Sequence, residues 1–281
     1  MAIVASHRGR WLCGAGIAAG VIALVTWSLL PIYWIVSTAL KQERAIYAYP
    51  PTLLPSEPTL ANFATILTAT RFPRFLANSL MVALAATAAA VIVGTLAAYA
   101  VTRMRFAGRA AVARAVVASY LLPPALLFIP LFAVLLRLGL VDSLVGLTLA
   151  HLTFTVPFAT WMLIGYLRTV PIELDEAARI DGAGRLTVLW RVLVPVALPG
   201  VAVVALYAFT HSWNEFLYAL IFVYSEGSRT LTAGLVGLMM GDVFIWGQLM
   251  AASAIAIAPM LVIYVLGQRY LVEGLTGGSV K

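Results

Sequence analysis

The densest group of charged side chains in this sequence lies within residues 171–199, where two short helices are predicted. Asp175 and Arg179 are spaced i, i+4, so they can pair on one face of the first helix. Gly182 and Gly184 provide the backbone freedom that ends this helix, and the second helix follows. Carboxylates and guanidinium groups on an ordered hairpin are typical of a surface that binds a protein partner.

A second group of polar side chains lies within or beside long apolar stretches. Ionisable groups are costly inside a bilayer and are often functional there. These residues can line a solute pathway, because sugars require hydrogen-bonding groups flanked by aromatic rings. Alternatively, Glu215 anchors a helix end at the outer headgroups and Asn78 caps the second apolar helix. The pathway candidates are Asn78, His211, Asn214, Glu215 and Tyr218.

Several other chemistries lack the residues that they need. The three histidines show no paired-ligand spacing, and a single cysteine excludes an internal disulfide and a cysteine-rich metal site. Lys41 follows Leu40 and Lys281 follows Val280, so neither lysine belongs to the Gly-Lys of a phosphate-binding loop. No nucleophile elbow is present either. The sequence therefore predicts no metal site, no catalytic centre and no ATP site of this type on this chain.

The composition is that of an integral membrane protein, with 63% hydrophobic and 10% charged residues. The net charge of +7 comes from basic residues scattered at the ends of apolar runs, which does not indicate a nucleic-acid-binding face. We therefore predict an all-α polytopic protein with six transmembrane helices, and an extended, proline-rich loop over 41–74. The apolar stretches that reach the roughly 20 residues needed to span a bilayer are 11–40, 75–102, 111–137, 143–168, 196–222 and 248–268.

The basic residues also predict the orientation. With a cytoplasmic N-terminus, the inner segments hold twelve of the 18 lysines and arginines and the outer segments hold six. The positive-inside rule favours this choice, which places both termini and the 171–199 hairpin in the cytoplasm.

The hairpin resembles the EAA loop of ATP-binding-cassette (ABC) importer permeases. Glu176-Ala177-Ala178 is followed after three residues by Gly182, and nine further residues precede Val192-Leu193-Val194-Pro195. Asp181-Gly182-Ala183 brings the match closer to carbohydrate importers. In that family the hairpin docks as a coupling helix into a cleft on the ATPase. The residues that the resemblance assigns to coupling are Glu176, Ala177, Ala178, Arg179, Asp181 and Gly182.

The resemblance covers nearly the whole chain. The chain is similar to the second-permease type of carbohydrate importers, the maltose permease family in particular. It is carried by Trp213-Asn214-Glu215-Phe216, by 229–235 and by the tail 268–281. It implies one permease domain over 1–281, with a core at about 75–270 and the first span and outer loop in 1–74. It also implies that an outer loop contacts a binding protein, through Glu226, Arg229, Thr230 and Leu231.

The function that the resemblance implies is that of a transmembrane subunit, not an enzyme, in an ATP-driven importer of the bacterial inner membrane. The cargo would be an oligosaccharide, a disaccharide or a glycerol-phosphate-type solute. The implied partners are a second homologous permease, two ATPase subunits that bind ATP and Mg²⁺, and an extracytoplasmic binding protein.

Two alternatives stay open. The first is an ABC importer permease for a non-sugar solute, because the hairpin motif concerns coupling and not cargo. The second is an ion-coupled secondary transporter, which would need its own coupling-ion site. One intramembrane carboxylate, Glu215, is the support for that second alternative.

Overall fold

The computed structural model describes residues 7–237 and 245–276, and these residues form helices and loops without a β-strand. The predicted all-α class is therefore confirmed for the described part of the chain. The last tail residues, 277–281, lie outside it. The helices are α1 (His7–Ala39), α2 (Glu43–Ile46), α3 (Ala61–Thr68), α4 (Phe72–Arg103), α5 (Arg109–Tyr120), α6 (Pro124–Arg137), α7 (Leu144–Leu167), α8 (Glu173–Ile180), α9 (Arg185–Val188), a π-helical turn (Leu189–Leu193), α10 (Val194–Val196), α11 (Leu198–Asn214), α12 (Leu217–Phe222), α13 (Leu231–Gly237) and α14 (Trp246–Thr276).

Among the described residues, four helices are long and apolar enough to cross a bilayer, namely those that contain Gly16–Ala39, Phe72–Arg103, Leu144–Leu167 and Trp246–Tyr270. Two further candidates are bent pairs: α5 meets α6 at 103°, and the Arg185–Val196 segment meets α11 at 84°. The described residues thus provide six spans if each bent pair counts as one. In each pair a proline stands in the first turn of the second helix, Pro124 in α6 and Pro199 in α11. Because proline has no N–H, neither can continue the hydrogen-bond ladder of the preceding helix.

The chain forms two compact units. The first contains residues up to Thr70 and residues 238–257, as far as these are described. Its loop after α1 is partly helical, because it holds α2 and α3; the prediction of an extended 41–74 segment is therefore wrong in part. Side chains of α1 and α3 hold this loop in place. Ser37 Oγ donates to the Leu53 carbonyl at 2.8 Å, and Asn62 Nδ2 donates to the Ala39 carbonyl at 2.9 Å.

The second unit, residues 71–237 and 258–281 as far as described, is built around α4, α7 and α11. Small residues allow α4 and α7 to approach closely: Ala90, Ala98 and Ala159 are all fully buried. At Gly94 the approach is so close that an added Cβ would lie 2.6 Å from the Ala159 Cβ. These three helices position both the 171–199 hairpin at one end and the polar residues around Glu215.

Candidate coupling, pathway and outer-loop sites

The 171–199 hairpin has the turn that its sequence predicts. Helix α8 ends at Ile180, and Gly182 has a left-handed φ of +83°, a conformation that favours glycine. Gly184, with φ −71°, then precedes α9. Of the six predicted coupling residues, Ala178 is half-buried and packs on the core. The exposed members are Glu176, Ala177, Arg179, Asp181 and Gly182.

Apolar side chains are also exposed on this hairpin. Ile180 is 86% exposed and Leu186 is 63% exposed, and both lie among charged residues that do not belong in a bilayer interior. Exposed apolar groups with a polar rim mark protein–protein interaction sites. The hairpin therefore has the composition of a docking surface.

The hairpin is tied to its unit by a buried ion pair. The Arg103 Nε lies 3.5 Å from Asp175 Oδ2, and both side chains are 8% exposed. The same guanidinium donates to the carbonyls of Leu167 and Val170, at 3.1 and 2.6 Å. The ion pair of Asp175 is thus made with Arg103; the predicted i, i+4 partner Arg179 stays exposed. Burial raises the pKa of the Asp175 carboxyl, and the Arg103 guanidinium opposes that rise.

Three of the five predicted pathway residues line one cavity. A cavity of about 620 Å³ is lined by His211, Asn214 and Glu215. Its remaining walls are mainly aromatic or apolar, and they include Thr210, whose Oγ1 is buried and has no hydrogen-bond partner in the described part of the chain. The aromatic side chains of the lining are Phe158, Tyr207, Phe216 and Tyr264.

Glu215 lies at a break between two helices, so the predicted single helix over 196–222 is wrong at this point. Its carboxylate accepts hydrogen bonds from the backbone N–H groups of Tyr218 and Ala219, at 2.9 and 3.1 Å. It therefore caps the start of α12 in addition to facing the cavity. His151 on α7 approaches within 3.6 Å of the Glu215 carboxylate. Sequence reasoning missed His151, although a lone histidine inside an apolar span is the signal that would have identified it.

Asn78 and Tyr218 do not line this cavity. The Tyr218 side chain is buried, and its hydroxyl donates to the Pro124 carbonyl at 2.8 Å. Asn78 lies in the second turn of α4, which begins at Phe72, so the prediction that it caps this helix is wrong. Its amide instead donates to the carbonyls of Gly227 and Arg229, at 3.0 and 2.8 Å.

The loop after α12 is fixed by hydrogen bonds from both sides. Besides Asn78, Ser79 Oγ accepts the Leu231 N–H at 2.8 Å. On the other side, the Asp142 carboxylate accepts the N–H groups of Tyr224 and Ser225 at 3.0 Å and the hydroxyl of Ser228. Burial alone would raise the pKa of Asp142, but these hydrogen bonds hold it below its ordinary value.

The four predicted binding-protein contacts differ in exposure. Glu226 is exposed and pairs with Arg71 at 3.5 Å, and Arg229 is half-buried. Thr230 and Leu231 are buried within this chain, which leaves Glu226 and Arg229 as the accessible members. In the part of the chain that the structure describes, no three or more His, Cys, Asp or Glu residues are grouped as a metal site requires.

Comparison with known proteins identifies the family. Residues 90–277 match the model of the binding-protein-dependent transport system inner membrane component. The chain is 36% identical over 274 residues to an inner membrane ABC transporter permease protein of Escherichia coli strain K12, covering 97% of this chain and 98% of that one. It is 33% identical to the trehalose/maltose transport system permease protein of Thermococcus litoralis, covering 93% and 95%. It is 37% identical to the sulfoquinovosyl glycerol transport system permease protein of Agrobacterium fabrum, covering 90% and 89%.

The fold is also that of solved importers. A chain of a bacterial ABC transporter involved in alginate import superposes with a TM-score of 0.80 at 22% identity, over 95% of this chain and 98% of that one. The exposed hairpin with its buried ion pair, the helical architecture and the sequence matches agree. The chain belongs to the family of binding-protein-dependent transport system inner membrane components, the permease subunits of ABC importers.

Proposed function

We propose that this chain is the transmembrane permease subunit of an importer for a carbohydrate of the oligosaccharide, disaccharide or glycerol-phosphate class. The observation that carries the importer role is the 171–199 hairpin, a polar, ordered turn with exposed Ile180 and Leu186 held on the helix bundle by a buried ion pair. An ATPase that binds ATP and Mg²⁺ docks on this surface. The permease itself catalyses no reaction.

The hairpin supports a simple coupling step. When two ATPase subunits close around ATP, they draw together the hairpins of this chain and of a second, homologous permease. The Arg103–Asp175 pair passes the displacement of α8 to the end of α4. The helices then reorient from inward-facing to outward-facing, and hydrolysis resets the cycle.

The cavity beside Glu215 supports a sugar as the cargo. Aromatic rings stack on the apolar faces of a pyranose, while His211, Asn214 and Glu215 can exchange hydrogen bonds with its hydroxyl groups. Relatives named for trehalose/maltose and sulfoquinovosyl glycerol transport point to the same class. Asn78 is left out of this pathway because its amide is used by the outer loop.

The loop that carries Glu226 and Arg229 is the proposed contact for an extracytoplasmic binding protein. In this proposal both termini of the permease lie in the cytoplasm. Its backbone is already fixed by Asn78, Ser79 and Asp142, so little ordering entropy would be lost on docking. Thr230 and Leu231 then act by packing the loop rather than by touching the partner.

The first test is mass spectrometry of the proteins that co-purify with this chain from its native membrane in mild detergent. We expect a P-loop ATPase and a second permease of similar length. Recovery of the chain alone, under conditions that keep other importers intact, together with solute uptake driven by an ion gradient, would overturn the proposal in favour of a secondary transporter.

The second test addresses the cargo with the purified complex in proteoliposomes. ATP-dependent uptake of a labelled disaccharide is compared between the wild type and the variants His211→Ala and Asn214→Ala, with the exposed Arg44→Gln as a control. We expect the two cavity variants to lower uptake by about tenfold or more, since each loses a hydrogen bond in a desolvated site. If the complex imports a non-sugar solute but no sugar, the alternative of an ABC importer for a non-sugar solute is supported.

A further inference from the structure

A second cavity, of about 290 Å³, lies in the first compact unit, beside the end of α1. Its walls come from α1, from the loop and short helix that follow, and from the beginning of α14. Trp34, Tyr47 and Trp246 provide aromatic walls, and Lys41, Thr38 and Thr52 provide the polar groups. The sugar pathway and the coupling hairpin use none of these residues.

None of the described residues supplies a charge that balances the cation in this cavity. Lys41 is only 3% exposed, and its ammonium donates to the Thr52 carbonyl and lies 4.9 Å from the centre of the Trp34 ring. No carboxylate of the described residues pairs with it within 4 Å, and no acidic residue is in the cavity lining. A buried cation requires a counter-ion, and a ring face and one carbonyl replace only part of its hydration.

Two hydroxyls in the same cavity are also unsatisfied. Thr38 Oγ1 and Thr52 Oγ1 are buried without a hydrogen-bond partner among the described residues, and Thr38 is 6% exposed. Buried hydroxyls normally have a partner, so two orphans beside an uncompensated ammonium indicate a missing polar ligand. The ligand must carry negative charge for Lys41 and accept or donate hydrogen bonds to both threonines.

The position of the cavity identifies the source of this ligand. Lys41 lies two residues beyond the last residue of the apolar helix α1, Ala39, and a basic residue at that point marks a membrane–water boundary. Trp34, Tyr47 and Trp246 are half-exposed amphipathic rings of the type that gather at headgroup level. The neighbouring surface of α1 is apolar and exposed, with Leu30 about one turn and Trp27 about two turns before Trp34, so acyl chains can lie against it.

We propose that this cavity binds the headgroup of an anionic phospholipid, with the phosphodiester at Lys41 and headgroup hydroxyls at Thr38 and Thr52. A phosphatidylglycerol headgroup has this chemistry. The absence of a carboxylate among the described lining residues disfavours headgroups that carry a choline or ethanolamine ammonium. The lipid would fix the end of α1 against the outer loop, and this role is independent of the cargo.

The test is native mass spectrometry of the complex purified from its own membrane and exchanged into an equal mixture of phosphatidylglycerol and phosphatidylcholine. We expect the wild type to retain phosphatidylglycerol in about fivefold preference, and the Lys41→Gln variant to lose that preference. Arg44→Gln is the matched control: it removes a cation from the same loop, but Arg44 is exposed and already paired with Glu57. It should retain the lipid as the wild type does.

Thr38→Val keeps the shape of the side chain and removes only its hydroxyl, so it carries the test if Lys41→Gln fails to fold. We expect Thr38→Val to weaken phosphatidylglycerol retention. Equal retention by wild type, Lys41→Gln and Thr38→Val would overturn the proposal. The proposal would also be overturned if excess inorganic phosphate displaced the lipid and stabilised the protein as much as the lipid does. The ligand would then be a free anion.

Discussion

Arg103 and Asp175 form the contact on which the attachment of the coupling hairpin depends. We expect Arg103→Met to lower the free energy of unfolding by about 3–5 kcal/mol, because the variant leaves the Asp175 carboxylate buried without its counter-ion. Thermal unfolding of the purified complex in detergent measures this effect. Arg179→Met is the control, since Arg179 is exposed one turn from Asp175 and should cost no more than about 1 kcal/mol. Equal losses for the two variants would contradict the assignment.

Asp142 makes the loop after α12 sensitive to acid. Its hydrogen bonds place the folded pKa below the unfolded value of about 3.9, so its contribution to stability is present above that value and lost as the pH falls through the folded pKa. We expect Asp142→Ala to cost about 1–3 kcal/mol at neutral pH and to flatten the acid limb of the stability profile. Unfolding midpoints measured from neutral pH down to pH of about 3 test this. A parallel profile for the two proteins would refute the role of Asp142.

Single residues also show where sequence reasoning stops. Gly182 was predictable, because a helix that ends beside a glycine implies a left-handed turn through local chemistry alone. The partner of Asp175 was not, since Arg103 is distant in sequence and only the packing of α4 brings it close. The same holds for Asn78: its type suggested a helix cap, while its contacts depend on a loop about 150 residues later.

The turn of the hairpin is needed for coupling but not for membrane insertion. Gly182→Val should leave membrane insertion intact but uncouple ATP hydrolysis from uptake, because a β-branched residue is strained at φ +83° and re-aims the turn. ATPase activity and uptake are measured together in proteoliposomes. Gly184→Val is the matched control, since Gly184 has φ −71° and open space around its Cα. Normal uptake by Gly182→Val at normal expression would exclude this role.

The packing of α4 against α7 depends on one glycine. Gly94→Ala would place a Cβ 2.6 Å from that of Ala159, and we expect a loss of about 1–3 kcal/mol from overpacking. Gly165→Ala on α7 meets nothing within 4 Å, so its better helix propensity should make it neutral or stabilising. The unfolding temperatures of the two variants in detergent should therefore move in different directions. A stable Gly94→Ala would mean that the helices separate at little cost.

Hydropathy predicted most of the elements but not their bends. A run of about 20 apolar residues is enough to locate α4, α7 and the membrane part of α14, because the bilayer sets their length. A proline reports that a hydrogen bond is missing, and the 103° angle between α5 and α6 is set by neighbours that the local sequence does not specify. The helix break at Glu215 was not predicted for the same reason, because an apolar stretch does not reveal that one carboxylate will start a new helix.

The distribution of basic residues connects the two proposed protein contacts. In the proposed function the coupling hairpin faces the ATPase in the cytoplasm, whereas the loop with Glu226 faces the outside. The positive-inside count assigns these sides in the required way, with twelve basic residues inside and six outside. This agreement is informative because the count makes no use of the hairpin's contacts or of the loop's hydrogen bonds.

The single cysteine makes this orientation testable. Cys13→Ser gives a cysteine-free background, into which Ser56→Cys and Ala107→Cys are introduced one at a time. Both positions are exposed in loops, and neither lies on the hairpin or beside Glu226, so partner subunits should not mask them. We expect a membrane-impermeant maleimide to label Ser56→Cys in intact cells or spheroplasts and to label Ala107→Cys only after the membrane is opened. The reverse pattern would turn the hairpin away from cytoplasmic ATP, and coupling through it would then be impossible.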